Sequence, residues 1–164
     1  MAETDAPTTT QRRKLKRLEE QERKLVFADF SHADAWQLGT ILVGVAAERN
    51  LAIAIRITIG EQTAFQVGMP GSSSDNDDWL VRKARAVQRF GASTFLLKIR
   101  GEVTGRSYAE LDASRFAIAG GCVPIKTASG ALLGTVGVSG LSQADDHALV
   151  VDAVSQFLSG ENAR

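Results

Sequence analysis

Residues 51–69 read LAIAIRITIGEQTAFQVGM, and the parsing of this stretch decides the fold. Leu51, Ile53, Ile55, Ile57 and Ile59 alternate with Ala52, Ala54, Arg56 and Thr58. Successive side chains of a strand point to opposite faces, so this period of two predicts a half-buried strand. Gly60-Glu61 is a Gly-X turn, and Phe65, Val67 and Met69 resume the alternation beyond it. The whole stretch is therefore predicted to be an antiparallel hairpin.

Two more strands are expected downstream, in FAIAGGCVPIK (116–126) and LLGTVGVSG (132–140), joined by a turn over Thr127 to Ala131 that contains Ser129-Gly130. Helices are expected between and around the hairpins. Ser31 caps HADAWQLGTILVGVAAERN (32–50), with Asp34 in the first turn and Asn50 as the stop. Gly39 and Gly44 in this helix imply close backbone packing. Asp75 or Asn76 caps DDWLVRKARAVQRF (77–90), Gly91 marks a bend, and ASTFLLKIRGEV (92–103) follows as a further helix. The last helix starts after Leu141 and runs to about Leu158. Near the N-terminus, QRRKLKRLEEQERKLVF (11–27) sets Leu15, Leu18, Leu25 and Val26 along one side of a charged amphipathic helix. Residues 1–10, MAETDAPTTT, have almost no apolar content and are expected as a disordered tail before a single domain over 11–160. Paired hairpins interrupted by helices predict an α+β fold, a central antiparallel sheet flanked by helices.

With 44% hydrophobic residues in 164, the chain can bury a proper core. Nineteen basic residues balance nineteen acidic ones, so no overall field recruits nucleic acid or an anionic membrane. The longest apolar run, ILVGVAA at 41–47, falls far below the roughly 20 residues that span a bilayer. The single cysteine, Cys122, excludes an intrachain disulfide. A soluble cytoplasmic protein is expected.

The C-terminal stretch TVGVSGLSQADDHALV (135–150) brings a serine, two carboxylates and a histidine close in sequence. A nucleophile elbow requires G-x-S-x-G, and Gly137-Val138-Ser139-Gly140-Leu141 lacks the final glycine. Ser142 and Asp145 have instead the spacing of a capping box, and Asp146 sits where a helix N-terminus favours a carboxylate. His147 falls on the line of Val151, Val154 and Leu158 and faces inward, either as a satisfied buried histidine or as a ligand-binding one. His32, in an opening helical turn, is expected at the surface. Lys83 is four residues after Trp79 and four before Val87, on a largely apolar stripe. It either snorkels to solvent or, near Asp75, Asn76 and Asp78, lines a site for an anionic group such as a carboxylate. The glycines of AGGCVP and LLGTVGVSG bare a sheet surface that could accept a flat ligand, a helix or another subunit.

Four stretches, FSHADAWQLG, DNDDWLVRKARAVQRFGAST, AGGCVPIK and GTVGVSGLSQADDHALVVDAV, resemble the HbpS-like superfamily in order and spacing, especially its small branch of haem-degrading domain proteins. The resemblance runs from about Leu15 to Phe157. It implies a profilin-like fold in subunits that form dimers and larger rings, and it implies haem binding, with haem degradation as an associated activity. Asn76, Trp79, Lys83 and His147 become the candidate ligand-binding residues, and His147 the candidate metal ligand. His32, Cys122, Tyr108 and the two methionines are further possible donors. The alternatives are a homo-oligomeric assembly or partner-binding module, and a binder of a small organic acid.

Overall fold

The computed structural model describes residues 6–161. In chain order the elements are α1 (Thr9–Arg23), α2 (His32–Glu48), β1 (Ala54–Ile59), β2 (Gln62–Gly68), α3 (Ser74–Phe90), α4 (Thr94–Thr104), β3 (Cys122–Lys126), β4 (Leu132–Ser139) and α5 (Gln143–Glu161). The hairpin closes as expected through Gly60-Glu61, with Gly60 at φ 55° and Ile59 opposite Gln62. The strands form one antiparallel sheet in the order β2-β1-β4-β3, which makes the fold α+β.

The alternation seen in the sequence sorts the sheet into two faces. Ile55 and Ile57 lie opposite Val138 and Val136, and with Val123 and Ile125 they form the face packed by Leu38 and Leu42 of α2 and Val150 and Val154 of α5. The other face carries Arg56, Thr58, Thr135, Gly137 and Cys122, and α3 lies over it. A Cβ on Gly137 would stand 3.2 Å from Leu80, so the bared glycine surface is taken by a helix. The two buried threonines satisfy each other, with Thr58 and Thr135 hydroxyls 2.8 Å apart.

The two sheet edges are finished differently. At β3, the Thr94 hydroxyl of α4 accepts from the Cys122 N–H at 3.2 Å, and Phe27 N–H donates to the Lys126 carbonyl at 2.9 Å. Pro124 also lies on this edge, where its missing N–H is tolerated. No further strand pairs with β2 among the described residues.

Several boundaries differ from expectation. Helix α1 begins at Thr9 inside the expected tail, because Thr8 and Gln11 form a capping box; residues 1–5 of that tail lie outside the described residues. The helix also stops at Arg23, so Leu25 enters the main core and Val26 pairs with Lys126 instead. The cap of α3 is Ser73, and Asn76 reaches back to it from the third helical position. The strand expected over 116–126 is limited to Cys122–Lys126, because the preceding Gly121 adopts φ 122° and turns the chain away from the ladder. Ser31 caps α2 as expected and forms a capping box with Asp34, and Asn50 leaves the helix at φ 52°.

Candidate functional site

The first turns of α3 and α5 converge on the end of β4. In α3, Asn76 uses its Oδ1 to accept the Ser73 N–H at 2.9 Å, while its Nδ2 lies 3.5 Å from the Ser139 hydroxyl. One turn on, Trp79 is half-buried beneath the Arg82 guanidinium, 4.1 Å from the ring centroid. Arg82 is in turn held by Asp78 at 2.7 Å.

Lys83, one turn further, does not snorkel. It is 3% exposed, and its ammonium donates to the Val138 carbonyl at 3.1 Å and to Asp146 Oδ2 at 3.3 Å. Asp146 is equally buried, and its other oxygen accepts the Leu141 N–H at 2.9 Å. Burial pushes this carboxyl above the ordinary aspartate value, outweighing the attraction of Lys83. Gly121 makes room for the pair: a Cβ there would lie 2.6 Å from the Val138 carbonyl, 2.8 Å from the Asp146 Cβ and 2.9 Å from the Lys83 ammonium. Above the pair opens a cleft of about 320 Å³, to which Asn76, Trp79, Lys83, Ser139, Gln143 and Asp146 contribute.

The structure thus brings together three of the four candidate residues, Asn76, Trp79 and Lys83, and leaves His147 apart from them. His147 follows Asp146 on α5 but turns towards α1 and α4, with Nε2 2.8 Å from Gln21 Oε1 and its ring 5.0 Å from that of Phe95. Its partner is a side chain and not a backbone carbonyl. It is 5% exposed, and burial pulls its pKa down to about 4, so the ring is neutral at pH 7. With Gln21 Oε1 as acceptor the proton sits on Nε2, and the buried Nδ1 has no hydrogen-bond partner. Ser139 faces Asn76 while His147 faces Gln21, so no serine-histidine relay forms. Ser142 and Asp145 make the expected capping box, with the Asp145 N–H 3.2 Å from the Ser142 hydroxyl.

A haem group needs an axial donor, an apolar slot and often cations for its propionates. The cleft offers a cation, Lys83, and an aromatic wall, Trp79, but no axial donor. Cys122 is 1% exposed, its thiol is pushed up to about 12 by burial, and it does not line the cleft. The Tyr108 hydroxyl is buried without a partner in a separate cluster. His32 is exposed and contacts Gln62 at 3.1 Å, away from the cleft. Among the described residues, no group of three or more His, Cys, Asp or Glu is arranged to hold a metal ion. The residues therefore fit a carboxylate arm of haem and not its iron.

Residues 30–155 match the family described as haem degrading protein HbpS-like. The chain belongs to the HbpS-like family. A UPF0303 protein of Streptomyces coelicolor is 44% identical over 144 residues, covering 86% of this HbpS-like chain and 91% of its own. Among solved structures, the Ybr137w protein superposes with a TM-score of 0.80 at 30% identity, over 89% of this chain and 88% of that one. A PduOC:heme complex superposes with a TM-score of 0.67 over 78% and 94% of the two chains; at 20% identity that likeness is one of fold. No helix among the described residues of this HbpS-like protein is long and apolar enough to cross a membrane.

Proposed function

We propose that this HbpS-like protein binds a carboxylate-bearing ligand in the cleft between the first turns of α3 and α5, the carboxylate being a haem propionate or that of a small organic acid. One observation carries the reading. An ammonium has three N–H donors, and Lys83 spends two within the chain, on Val138 and Asp146, while lining the cleft. The third donor has no protein partner and is available to an anion. Asn76 and Ser139 add polar groups beside it, and Trp79 supplies a flat apolar wall. The family description and the haem complex of a fold neighbour favour haem. A cleft of about 320 Å³ is sized for a propionate arm, which Lys83, Asn76 and Ser139 would hold. Haem degradation is the further activity under this reading, and cytoplasmic location belongs to the same proposal; cell fractionation tests the latter.

Haem titration followed in the Soret band, beside a thermal-shift panel of organic acids, tests the proposal. Saturable binding of either ligand should weaken about tenfold in Trp79→Ala and Ser139→Ala, neither of which unpairs a buried charge. Haem binding without acid binding, or the reverse, identifies the source of the carboxylate. A Soret spectrum that matches free haem, together with no stabilisation by any acid, defeats it.

A second reading, homo-oligomeric assembly, is favoured by Trp36. Its ring is 69% exposed and packs edge-on to Phe65 at 5.9 Å, beside an apolar cleft that includes Ile41 and Phe157. Trp36→Ala should lower the sedimentation coefficient; an unchanged value removes this support.

A further inference from the structure

A second cleft, larger and unlike the first in chemistry, lies on the same side of the sheet. It measures about 740 Å³ and shares no lining residue with the Lys83 cleft. Four arginines surround it: Arg56 from β1, Arg85 and Arg89 one turn apart on α3, and Arg115 from the loop before β3. Glu61 is the one acidic residue on its wall. None of these arginines makes an ion pair among the described residues, although Arg82 and Arg100 do. A chain of zero net charge has nineteen carboxylates to distribute. None of them forms an ion pair with this group among the described residues, although Glu61 lines the cleft and the charge of Arg115 acts on Asp112.

The frame of the cleft is fixed. Arg56 is half-buried, and its Nε and one terminal nitrogen both donate to the Thr63 hydroxyl, at 3.3 and 3.1 Å. That leaves the other N–H groups of its guanidinium without a protein acceptor. Burial pulls the Arg56 guanidinium below its ordinary value, and the charge of Arg85 on the facing wall of the cleft adds a smaller effect in the same direction. The Gln88 amide ties α3 to the Gly60 carbonyl at 3.3 Å. Phe116 N–H bonds the Asp112 carbonyl at 2.9 Å, and Ala117 N–H bonds the Arg82 carbonyl at 3.1 Å, which pins the loop to α3. Phe116 then serves as a shelf: the guanidinium carbons of Arg89 and Arg115 lie 5.3 and 5.7 Å from its ring centroid.

Planar guanidinium groups recognise phosphate and carboxylate through paired N–H donors, and a fixed cluster of them suits a ligand with several such groups. We propose that the Arg56–Arg85–Arg89–Arg115 cleft is a second ligand site, which takes a small molecule bearing two or more phosphate or carboxylate groups. The site is independent of the Lys83 cleft and of haem. It sets Arg56 of β1 and Arg85 of α3 on one cleft, where a single ligand would contact both.

Calorimetric titration of the full chain with inorganic pyrophosphate and, separately, with citrate tests this, with Arg13→Gln on exposed α1 as a control of equal charge change. Saturable binding is expected with one or both probes, and the stronger probe identifies phosphate or carboxylate as the preferred group. Arg56→Gln and Arg85→Gln should each weaken binding at least about tenfold, as loss of a charge-assisted contact requires, while Arg13→Gln should not. Without ligand, Arg85→Gln, which removes no side-chain hydrogen bond or ion pair among the described residues, should melt at the same temperature as the parent, so that its weaker binding does not reflect a loss of fold. Absence of saturable binding overturns the proposal, as does equal weakening in Arg13→Gln. A change in sedimentation of Arg85→Gln with no binding of either probe also overturns it, and assigns the arginines to contact with a second copy.

Discussion

Acidification should destabilise this protein through one residue, His147, and the size of the effect follows from its surroundings. The ring is 5% exposed, its pKa is about 4 against an ordinary 6.5, and burial is the cause. Between those two values the unfolded chain binds a proton that the folded chain refuses. Stability is therefore complete above pH 6.5 and falls as the pH drops towards 4. At about 1.36 kcal/mol per pH unit the full loss is about 3.4 kcal/mol, and at pH 5 about 2 kcal/mol has gone. Asp146 acts with the opposite sign, because its raised pKa favours the folded state as it protonates. The comparison must therefore be with a variant that differs only in the histidine. His147→Gln keeps an N–H donor for Gln21 and cannot titrate. Urea unfolding at pH 7.5 and pH 5.0, at one protein concentration, should show the parent losing about 2 kcal/mol more than the variant between the two pH values. That corresponds to about 4 to 8 °C in melting temperature for a chain of this size. Parallel pH profiles would refute the reasoning and would mean that the imidazole reaches water or a carboxylate in the folded protein.

Three further outcomes follow from packing. Lys83→Met leaves Asp146 buried without its cation and should cost about 3 to 5 kcal/mol, whereas Lys83→Met with Asp146→Leu should recover much of the loss in chemical denaturation. Gly121→Ala, which demands φ 122° of an alanine and drives its Cβ against Val138, Asp146 and Lys83, should cost at least about 2 kcal/mol by the same measurement. Cys122, buried with its thiol raised to about 12, should resist a thiol reagent at pH 8 in the native protein and react in full once the chain is unfolded in urea.

What could be read from the sequence was local. The Ile53, Ile55, Ile57 alternation identified β1 because strand geometry repeats every two residues. Ser31 with Asp34, and Ser142 with Asp145, identified two helix starts because a cap spans one turn. What could not be read was the long-range pairing. Lys83 on an apolar stripe left snorkelling or an anion site open, and nothing near it in sequence named Asp146, 63 residues on, as the partner that keeps it buried. Gln21 and His147 are 126 residues apart, and neither carries a mark of the other. The segment over 116–121 misled for a related reason. Its apolar residues suit a strand, but Gly121 is there to clear space for a charge pair assembled from α3 and α5. Arg56, Arg85, Arg89 and Arg115 share no motif in sequence and form a group only when β1, α3 and the loop before β3 come together.

The unequal edges of the sheet limit how copies of this chain can add to one another by strand pairing. The β3 edge is occupied by Thr94 and the Phe27 segment, so addition is open at β2 alone. A molecule with one such edge cannot propagate a fibre. Two copies that met β2 to β2 about a twofold axis would use up both open edges and present only the protected β3 strands to solvent. The contact would thus be self-terminating at a pair, and any larger ring would have to be built through a different surface.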